Sequence, residues 1–155
     1  MIWEELKESL IFTALEAQSY EDVMKQVGKK LVQEGYCKDS YADALISREK
    51  EYPTGIDVEG VGVAIPHTDT SHVNHQGIAI AVLDQPVTFT QMGTDDELVD
   101  VRVVFVLAVV NPNEHIDHLE RILAIIQDKD VLNRLQYVSD AKQIIEIIKV
   151  KEDTL

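Results

Sequence analysis

The sequence has little cysteine and few positive charges, and it contains no long hydrophobic run. Cys37 is the single cysteine. One cysteine excludes an internal disulfide and a zinc cluster built on cysteine thiolates, and it agrees with a reducing compartment. We interpret Cys37 as a structural, partly buried thiol.

Positive charge is scarce because 14 lysines and arginines face 28 acidic residues, which gives a formal net charge of −14. A charge of this sign repels nucleic acids and anionic membranes. It would attract a basic protein partner, although solubility alone also explains it. We therefore expect no nucleic-acid partner, and both explanations of the acidic composition stay open.

No apolar stretch is long enough to cross a bilayer. The longest one, residues 103–110, falls far short of the about 20 residues that a membrane helix needs. Residues 1–10 carry Glu4, Glu5, Lys7 and Glu8 rather than the apolar centre of a signal peptide. We expect a cytoplasmic protein without direct membrane insertion, folded as a single domain over residues 1–155.

The hydrophobic pattern predicts a mixed α/β protein. Short apolar runs bounded by turn residues predict strands, and apolar residues at helical spacing after Ser, Asp or Asn predict helices. The predicted strands are 10–15, 61–65, 78–83 and 99–110. The first predicted helix starts at Ser19 and ends at Gly35, and the second starts at Asp39 or Ser40 and ends before a turn at Pro53-Thr54-Gly55. The later predicted helices cover 111–127, 131–138 and 141–149. This order predicts a mixed central sheet flanked by helices.

The stretch GVGVAIPHTDTSH, residues 60–72, places a histidine just beyond a short apolar run. Gly62 and Ala64 leave room for close packing, whereas Pro66 lacks a ladder donor and ends regular pairing. His67 therefore lies at a strand terminus. Binding and catalytic groups are common at such positions.

The other histidines differ in their surroundings. His72 and His75 lie in a polar stretch, so we expect exposed loop residues. On the helix that follows Asn111, His115 falls in the first turn of an apolar stripe, and His118 flanks this stripe and is expected to be solvated. The stripe consists of Ile116, Leu119, Ile122, Leu123 and Ile126.

Two chemistries suit these histidines. His67 with His115, or His115 with His118, would supply imidazole ligands to a metal beside nearby carboxylates. However, the chain lacks HExxH and a cysteine pair, so His115 and His118 form only a two-ligand fragment.

The alternative is a nucleophilic histidine in phosphoryl transfer. A neutral imidazole, with a pKa of about 6.5, has a free nitrogen at physiological pH, and its adduct is reactive enough to pass a group on. Such transfer needs a cation or hydrogen-bond donors around the phosphoryl oxygens. Arg48 is the candidate cation for His67, because a guanidinium binds phosphoryl oxygens with two donors, and His115 is a candidate donor.

Four motifs, in this order and spacing, resemble the IIA component of the bacterial sugar phosphotransferase system, in its fructose/mannitol-type family. They are ALISRE (44–49), PTGI (53–56), GVAIPH (62–67) and NEHI (113–116). The resemblance extends from about Leu10 to Lys149. It implies a mixed sheet flanked by helices and a phosphotransferase that needs neither a metal nor an organic cofactor.

The resemblance also implies roles for individual residues. His67 would be the phosphorylated histidine, which accepts the phosphoryl group from phospho-HPr and passes it to a cysteine of the sugar-specific IIB component, and through it to membrane IIC. Arg48 and His115 would line the phosphoryl site, and Thr54 and Gly55 would form part of the adjacent phosphoryl-binding loop.

The segments 44–49, 51–56 and 87–93 look most like those of galactitol-type IIA proteins. Two other functions stay open. A nitrogen-type IIA protein carries the same phosphohistidine but regulates other proteins by binding them, and a metal-binding module would not transfer phosphate at all.

Overall fold

The computed structural model describes all 155 residues and contains five strands and five α-helices. In chain order they are β1 (Leu6–Leu15), α1 (Tyr20–Gln33), α2 (Tyr41–Glu51), β2 (Gly55–Val58), β3 (Val61–Ala64), β4 (Gly77–Thr90), β5 (Leu98–Ala108), α3 (Pro112–Ile126), α4 (Lys129–Tyr137) and α5 (Ala141–Glu152). Single 3-10 turns occupy Ile2–Glu5 and Thr70–His72.

The five strands form one mixed sheet in the order β1-β4-β5-β3-β2. β4 and β5 pair antiparallel at its centre, and β1 and β3 pair parallel with β4 and β5, respectively. β2 and β3 form an antiparallel hairpin at one edge. The expected mixed sheet flanked by helices is therefore confirmed.

Helices cover both faces of this sheet, because both faces of the central strands are apolar. Along β4, Ile78 and Ile80 pack in the hydrophobic cluster that includes α3, α4 and α5. The alternate residues Ala79 and Ala81 pack in the second cluster, with α1 and α2. Strands buried on both faces read as continuous apolar runs, which is why the sequence revealed β4 and β5 clearly.

Ser19 and Asn111 cap their helices as expected, whereas Ser40 occupies the cap position of α2 but its side chain makes no cap hydrogen bond. The Ser19 hydroxyl accepts the Asp22 N–H at 3.1 Å, and the Asn111 side chain accepts the Asn113 N–H at 2.9 Å. Gly35, with φ of +83°, follows the end of α1 in the left-handed conformation that glycine adopts readily. These predicted boundaries are confirmed.

Three parts of the sheet differ from expectation. β1 begins at Leu6, four residues before the predicted start at residue 10. The predicted turn at Pro53-Thr54-Gly55 is wrong at Gly55, because this residue begins the short strand β2. A Cβ on Gly55 would lie 2.6 Å from the Thr90 carbonyl oxygen, so only glycine allows this approach. β4 also continues beyond residue 83 to Thr90, with irregular pairing between Val82 and Val87.

None of the helices combines the length and apolarity needed to span a bilayer.

Candidate functional site

His67 follows the end of β3 and is held by backbone hydrogen bonds. The Leu107 N–H donates to the Pro66 carbonyl at 3.0 Å, and His67 Nδ1 lies 3.0 Å from the Ile65 carbonyl oxygen. Because a carbonyl only accepts, this contact assigns the ring proton to Nδ1. The Nε2 lone pair is left free for chemistry.

The surroundings of His67 favour the neutral ring. Burial lowers the pKa of His67, and the positive charge of Arg48 lowers it further. The hydrogen bond to Ile65 raises the pKa, but the net shift is downward. His67 is therefore uncharged near neutral pH. A neutral imidazole with a free Nε2 is a competent nucleophile.

His115 lies beside His67, in the first turn of α3. The two ring centroids are 4.5 Å apart and the ring planes are tilted by 52°. Burial, followed by the charges of His67, His118 and Arg48, lowers the pKa of His115 to about 4. Its Nδ1 is buried and has no hydrogen-bond partner in the protein. The ring is thus a neutral polar group whose hydrogen-bonding capacity is unused.

Arg48, in the last turn of α2, brings a positive charge to the same place. Its guanidinium carbon lies 4.5 Å from the centroid of the Tyr52 ring, a cation–π contact that orients the side chain. Its Nη1 is 3.9 Å from an Asp69 carboxylate oxygen, too long for a hydrogen bond, and its buried Nε has no partner. The donors of Arg48 are therefore available to an anion.

These three side chains line one open cleft of about 450 Å³. The other lining residues are Thr68, Asp69, Thr70, Ser71, Val109 and Pro112. The cleft contains a nucleophilic nitrogen, a guanidinium and a second imidazole. Together they provide a nucleophile and the donors that stabilise the charge on a transferred phosphoryl group. No cluster of three or more histidine, cysteine or acidic side chains is placed to hold a metal.

Comparison with known proteins agrees with this chemistry. Residues 4–151 match the family described as "Phosphoenolpyruvate-dependent sugar phosphotransferase system, EIIA 2". The chain belongs to this family. The resemblance that the four motifs suggested is thereby confirmed.

Two relatives of this EIIA chain are specific for different sugar alcohols, galactitol and mannitol. The galactitol-specific EIIA component of Escherichia coli strain K12 is 32% identical over 114 residues, which are 74% of this chain and 75% of the relative. The mannitol-specific phosphotransferase enzyme IIA component of Halalkalibacterium halodurans is 30% identical over 136 residues, which are 86% of each chain.

The fold of this EIIA chain also occurs in solved structures. The crystal structure of IIA mannitol from Escherichia coli superposes with a TM-score of 0.78 at 26% identity and covers 92% of this chain and 98% of that one. The enzyme IIA mannitol of Escherichia coli has also been solved in complex with phosphorylated enzyme IIB mannitol, with a TM-score of 0.78, 24% identity and coverage of 94% and 97%.

Two residues expected at the phosphoryl site lie behind the cleft instead of on its wall. Thr54 is 4% exposed, and its N–H and hydroxyl both donate to the Glu49 carboxylate, at 2.8 and 2.9 Å. Gly55 packs against β4 and β5. The structure thus brings Arg48, His67 and His115 together but separates Thr54 and Gly55 from the cleft.

The expectations for the remaining histidines need two corrections, at His118 and at His72. His118 is only 15% exposed rather than solvated, because its Nδ1 bonds to the Glu114 carbonyl and its Nε2 to the Glu5 carboxylate. His75 is exposed, as expected. His72 is half-buried in a 3-10 turn, where its Nδ1 lies 2.7 Å from the Ser40 hydroxyl.

The apolar stripe on α3 also differs from expectation at its first residue. Ile116 is 56% exposed, whereas Ile122 and Ile126 are buried. Helical spacing identifies the inward face of α3 but not the residue at which its burial begins. Ile116 therefore remains at the surface next to His115.

Cys37 is buried, with 3% exposure, rather than partly buried as expected, and burial raises the pKa of its thiol to about 12. A thiol with this pKa is almost entirely protonated near pH 7 and is a poor nucleophile. The interpretation of Cys37 as a structural thiol agrees with this environment.

Sequence reasoning missed Glu49, although it belongs to the ALISRE motif. Glu49 is 5% exposed, and burial raises the pKa of its carboxyl against the two hydrogen bonds from Thr54, which lower it. A glutamate near the end of a helix is normally exposed. Its place in a motif beside Arg48 was the only sign in the sequence that it had a special role.

Proposed function

We propose that this EIIA chain is a cytoplasmic phosphocarrier that accepts a phosphoryl group from phospho-HPr on His67 and transfers it to a cysteine of a IIB component. The observation that carries this proposal is the free Nε2 of a neutral His67 in a cleft shared with Arg48 and His115. No metal or organic cofactor takes part in this scheme.

In the first step, Nε2 of His67 attacks the phosphorus in line with the bond to the donor. The new bond is Nε2–P, the bond that breaks is that between phosphorus and the donor histidine, and the donor imidazole leaves with the electron pair. The ring of His67 gains positive character during attack, and the Ile65 carbonyl at Nδ1 stabilises it.

Arg48 and His115 act on the transferred group. The guanidinium donates to phosphoryl oxygens, and His115, as a neutral ring, donates one hydrogen bond without adding a full charge. In the second step the thiolate of the IIB cysteine attacks the same phosphorus, and Nε2 of His67 leaves. The protonated Nδ1 stays bonded to Ile65 throughout.

A protein partner suits the surface around the cleft better than a free small molecule does. Tyr52, Val110 and Ile116 adjoin cleft residues and are 55%, 41% and 56% exposed. Exposed apolar residues beside an open site favour docking of another protein. The IIA mannitol–IIB complex provides a precedent for the acceptor, and the net charge of −14 favours a basic donor face.

Galactitol is the sugar that we propose for the transport chain, in which IIB passes the phosphoryl group on to sugar carried by membrane IIC. The support is the 32% identity to the galactitol-specific EIIA component, and the mannitol-specific relative at 30% is the competing indication. Transfer to purified galactitol IIB, compared with mannitol IIB, tests this choice. Faster transfer to mannitol IIB would contradict it.

The phosphocarrier proposal is tested by the intact mass of the protein after incubation with phosphoenolpyruvate, enzyme I and HPr. We expect one acid-labile phosphate on the parent and on a His75→Ala control, and none on His67→Ala. Phosphate on His67→Ala would contradict the assignment. Uptake by the parent without transfer to any sugar-specific IIB would favour the regulatory, nitrogen-type alternative.

A further inference from the structure

Glu49 is a buried carboxylate without a cationic partner. It is 5% exposed, and no lysine or arginine forms an ion pair with it. Arg48, its neighbour in sequence, turns instead to the Tyr52 ring and the cleft. Burial of a carboxylate is costly unless hydrogen bonds compensate for the lost water, and here both of those bonds come from Thr54.

These two bonds fix the direction of the Thr54 hydroxyl. The hydroxyl has one hydrogen, and this hydrogen is donated to Glu49 Oε1 at 2.9 Å. Thr54 Oγ1 can then only accept, and it accepts the Ile65 N–H at 3.2 Å. A hydroxyl without the carboxylate would be free to rotate away from Ile65.

Ile65 links this pair to His67. It lies beyond the last residue of β3, and its N–H bonds to Thr54 while its carbonyl accepts from His67 Nδ1 at 3.0 Å. Pro66 has no N–H, and its carbonyl accepts from Leu107 at 3.0 Å. The bond from His67 to Ile65 is internal to the segment 65–67, and two further hydrogen bonds connect the segment to Leu107 and to Thr54. The bond to Thr54 is its only hydrogen bond to α2 and the loop after it.

We propose that Glu49, acting through the Thr54 hydroxyl, is a positioning residue that holds the Ile65 carbonyl in place and so keeps His67 in the Nδ1–H tautomer with Nε2 free. Neither residue touches the phosphoryl group. The consequence for phosphoryl transfer rests on the proposed function of His67, whereas the tautomer is a property of the chain alone.

The tautomer is measured from ring ¹⁵N chemical shifts of His67 in the unphosphorylated protein at pH 7.5. The parent is expected to show the Nδ1–H form, and an Nε2–H form in the parent would overturn the inference without any variant. Thr54→Ser keeps the hydroxyl and should retain the parent shifts. Thr54→Val and Glu49→Leu, which removes both acceptors of the carboxylate, should give a mixture of tautomers.

A matched control separates this effect from a general loss of stability. Thr88→Val removes an exposed hydroxyl on β4, at 3.4 Å from Asp100, and should leave His67 unchanged. Parent-like His67 shifts in folded Thr54→Val would overturn the inference. If Thr54→Val does not fold, Glu49→Leu gives the same comparison, and parent-like His67 shifts in that variant overturn the inference too.

Phosphoryl uptake from phospho-HPr gives the second readout. We expect Thr54→Val to react about tenfold or more slowly than Thr54→Ser at saturating donor, with a similar KM, because positioning acts on the chemical step. A tautomer shift with parent-like uptake would overturn the role in transfer and leave the proposed function intact. If the variants show the tautomer shift but the parent takes up no phosphate, the positioning is supported and only the proposed function is contradicted.

Discussion

The imidazole rings of His67 and His115 lie 4.5 Å apart between centroids, one beyond the end of β3 and the other in the first turn of α3. Two imidazoles this close do not both become positively charged easily, since like charges disfavour each other's ionisation. The charge of His67 is accordingly one cause of the low pKa of His115, after burial.

Replacement of His67 by alanine should raise the pKa of His115 from about 4 toward the ordinary histidine value, because both a neighbouring charge and some burial are removed. An NMR titration of the His115 ring measures this shift, with His75→Ala as the control that should not change it. A His115 titration that is the same in His67→Ala as in the parent would show that the rings do not interact.

The low pKa of His115 also makes the stability of the fold depend on pH, because the folded and unfolded states bind protons differently. Because the folded pKa is below the unfolded value of about 6.5, this residue stabilises the fold above that pH and loses the contribution as the pH falls toward about 4. His115→Gln should reduce the acid sensitivity of unfolding between these values. Urea unfolding at pH 7.5 and pH 4.5 measures it, and an equal loss of stability in parent and variant would contradict the linkage.

Gly62 is required by the close approach of β3 to β5. A Cβ at this position would lie 1.9 Å from the Asp100 carbonyl oxygen, so one strand must move. We expect Gly62→Ala to destabilise the fold by about 3 kcal/mol, at the upper end of the usual cost of overpacking. Gly35→Ala serves as a control, because only its positive φ opposes the substitution and the cost should be about 1 kcal/mol. Equal losses in the two variants would contradict the clash.

Much of the fold could be predicted from the sequence because its signals are local. Caps such as Ser19 and Asn111 mark helix starts, and the apolar runs of β4 and β5 mark strands buried on both faces. β2 escaped prediction because its four residues, GIDV, begin with a glycine that normally indicates a turn. The strand order depends on pairing between distant segments, for which no local pattern exists.

The candidate site was predictable only in part. Motifs identified Arg48, His67 and His115, but no spacing could show that the two histidine rings lie 4.5 Å apart. His118 was misplaced because its partner, Glu5, lies 113 positions away in the sequence. Glu49 looked like an ordinary helix-end acid, and only the folded chain shows that its carboxylate faces Thr54.

The turn between β2 and β3 contains a residue in an unfavourable conformation. Glu59 has φ of 49° and Gly60 has φ of 92°, as in a type I′ turn, where Asn-Gly is the preferred pair. Glu59→Asn should therefore stabilise the protein by about 0.5–1 kcal/mol, measured by urea unfolding. Glu59→Gln removes the same charge without the preference for this conformation. If it stabilises as much as Glu59→Asn does, the backbone explanation is wrong.

The ion pair of His118 with Glu5 should stabilise the fold at acidic pH. Burial lowers the pKa of His118, but the hydrogen bonds to the Glu114 carbonyl and the Glu5 carboxylate, together with the charges of both acids, raise it overall. A raised folded pKa means that the stabilisation is complete below the unfolded value of about 6.5 and disappears as the pH rises through the folded value.

Glu5→Gln should accordingly lower the free energy of unfolding at pH 5.5 by up to about 1 kcal/mol, a limit set by the partial exposure of both groups. At pH 9 the variant and the parent should be equally stable. Urea unfolding at both pH values measures this, with Glu8→Gln, an exposed acid on β1, as the control. A larger loss at pH 9 than at pH 5.5 would refute the linkage.

Arg48 should contribute through the shape of its guanidinium as well as through its charge. Arg48→Lys keeps the charge but loses the two-donor contact with phosphoryl oxygens and the stacking on Tyr52, which lies 4.5 Å away. Because a hydrogen bond to a charged group contributes about 1.5–3 kcal/mol, uptake from phospho-HPr should slow by about 10- to 100-fold. Arg134→Lys, on α4, provides the matched control. Parent-like rates in Arg48→Lys would mean that the charge alone suffices. A rise in KM without a fall in kcat would mean that Arg48 acts in docking of the donor rather than in the transfer step.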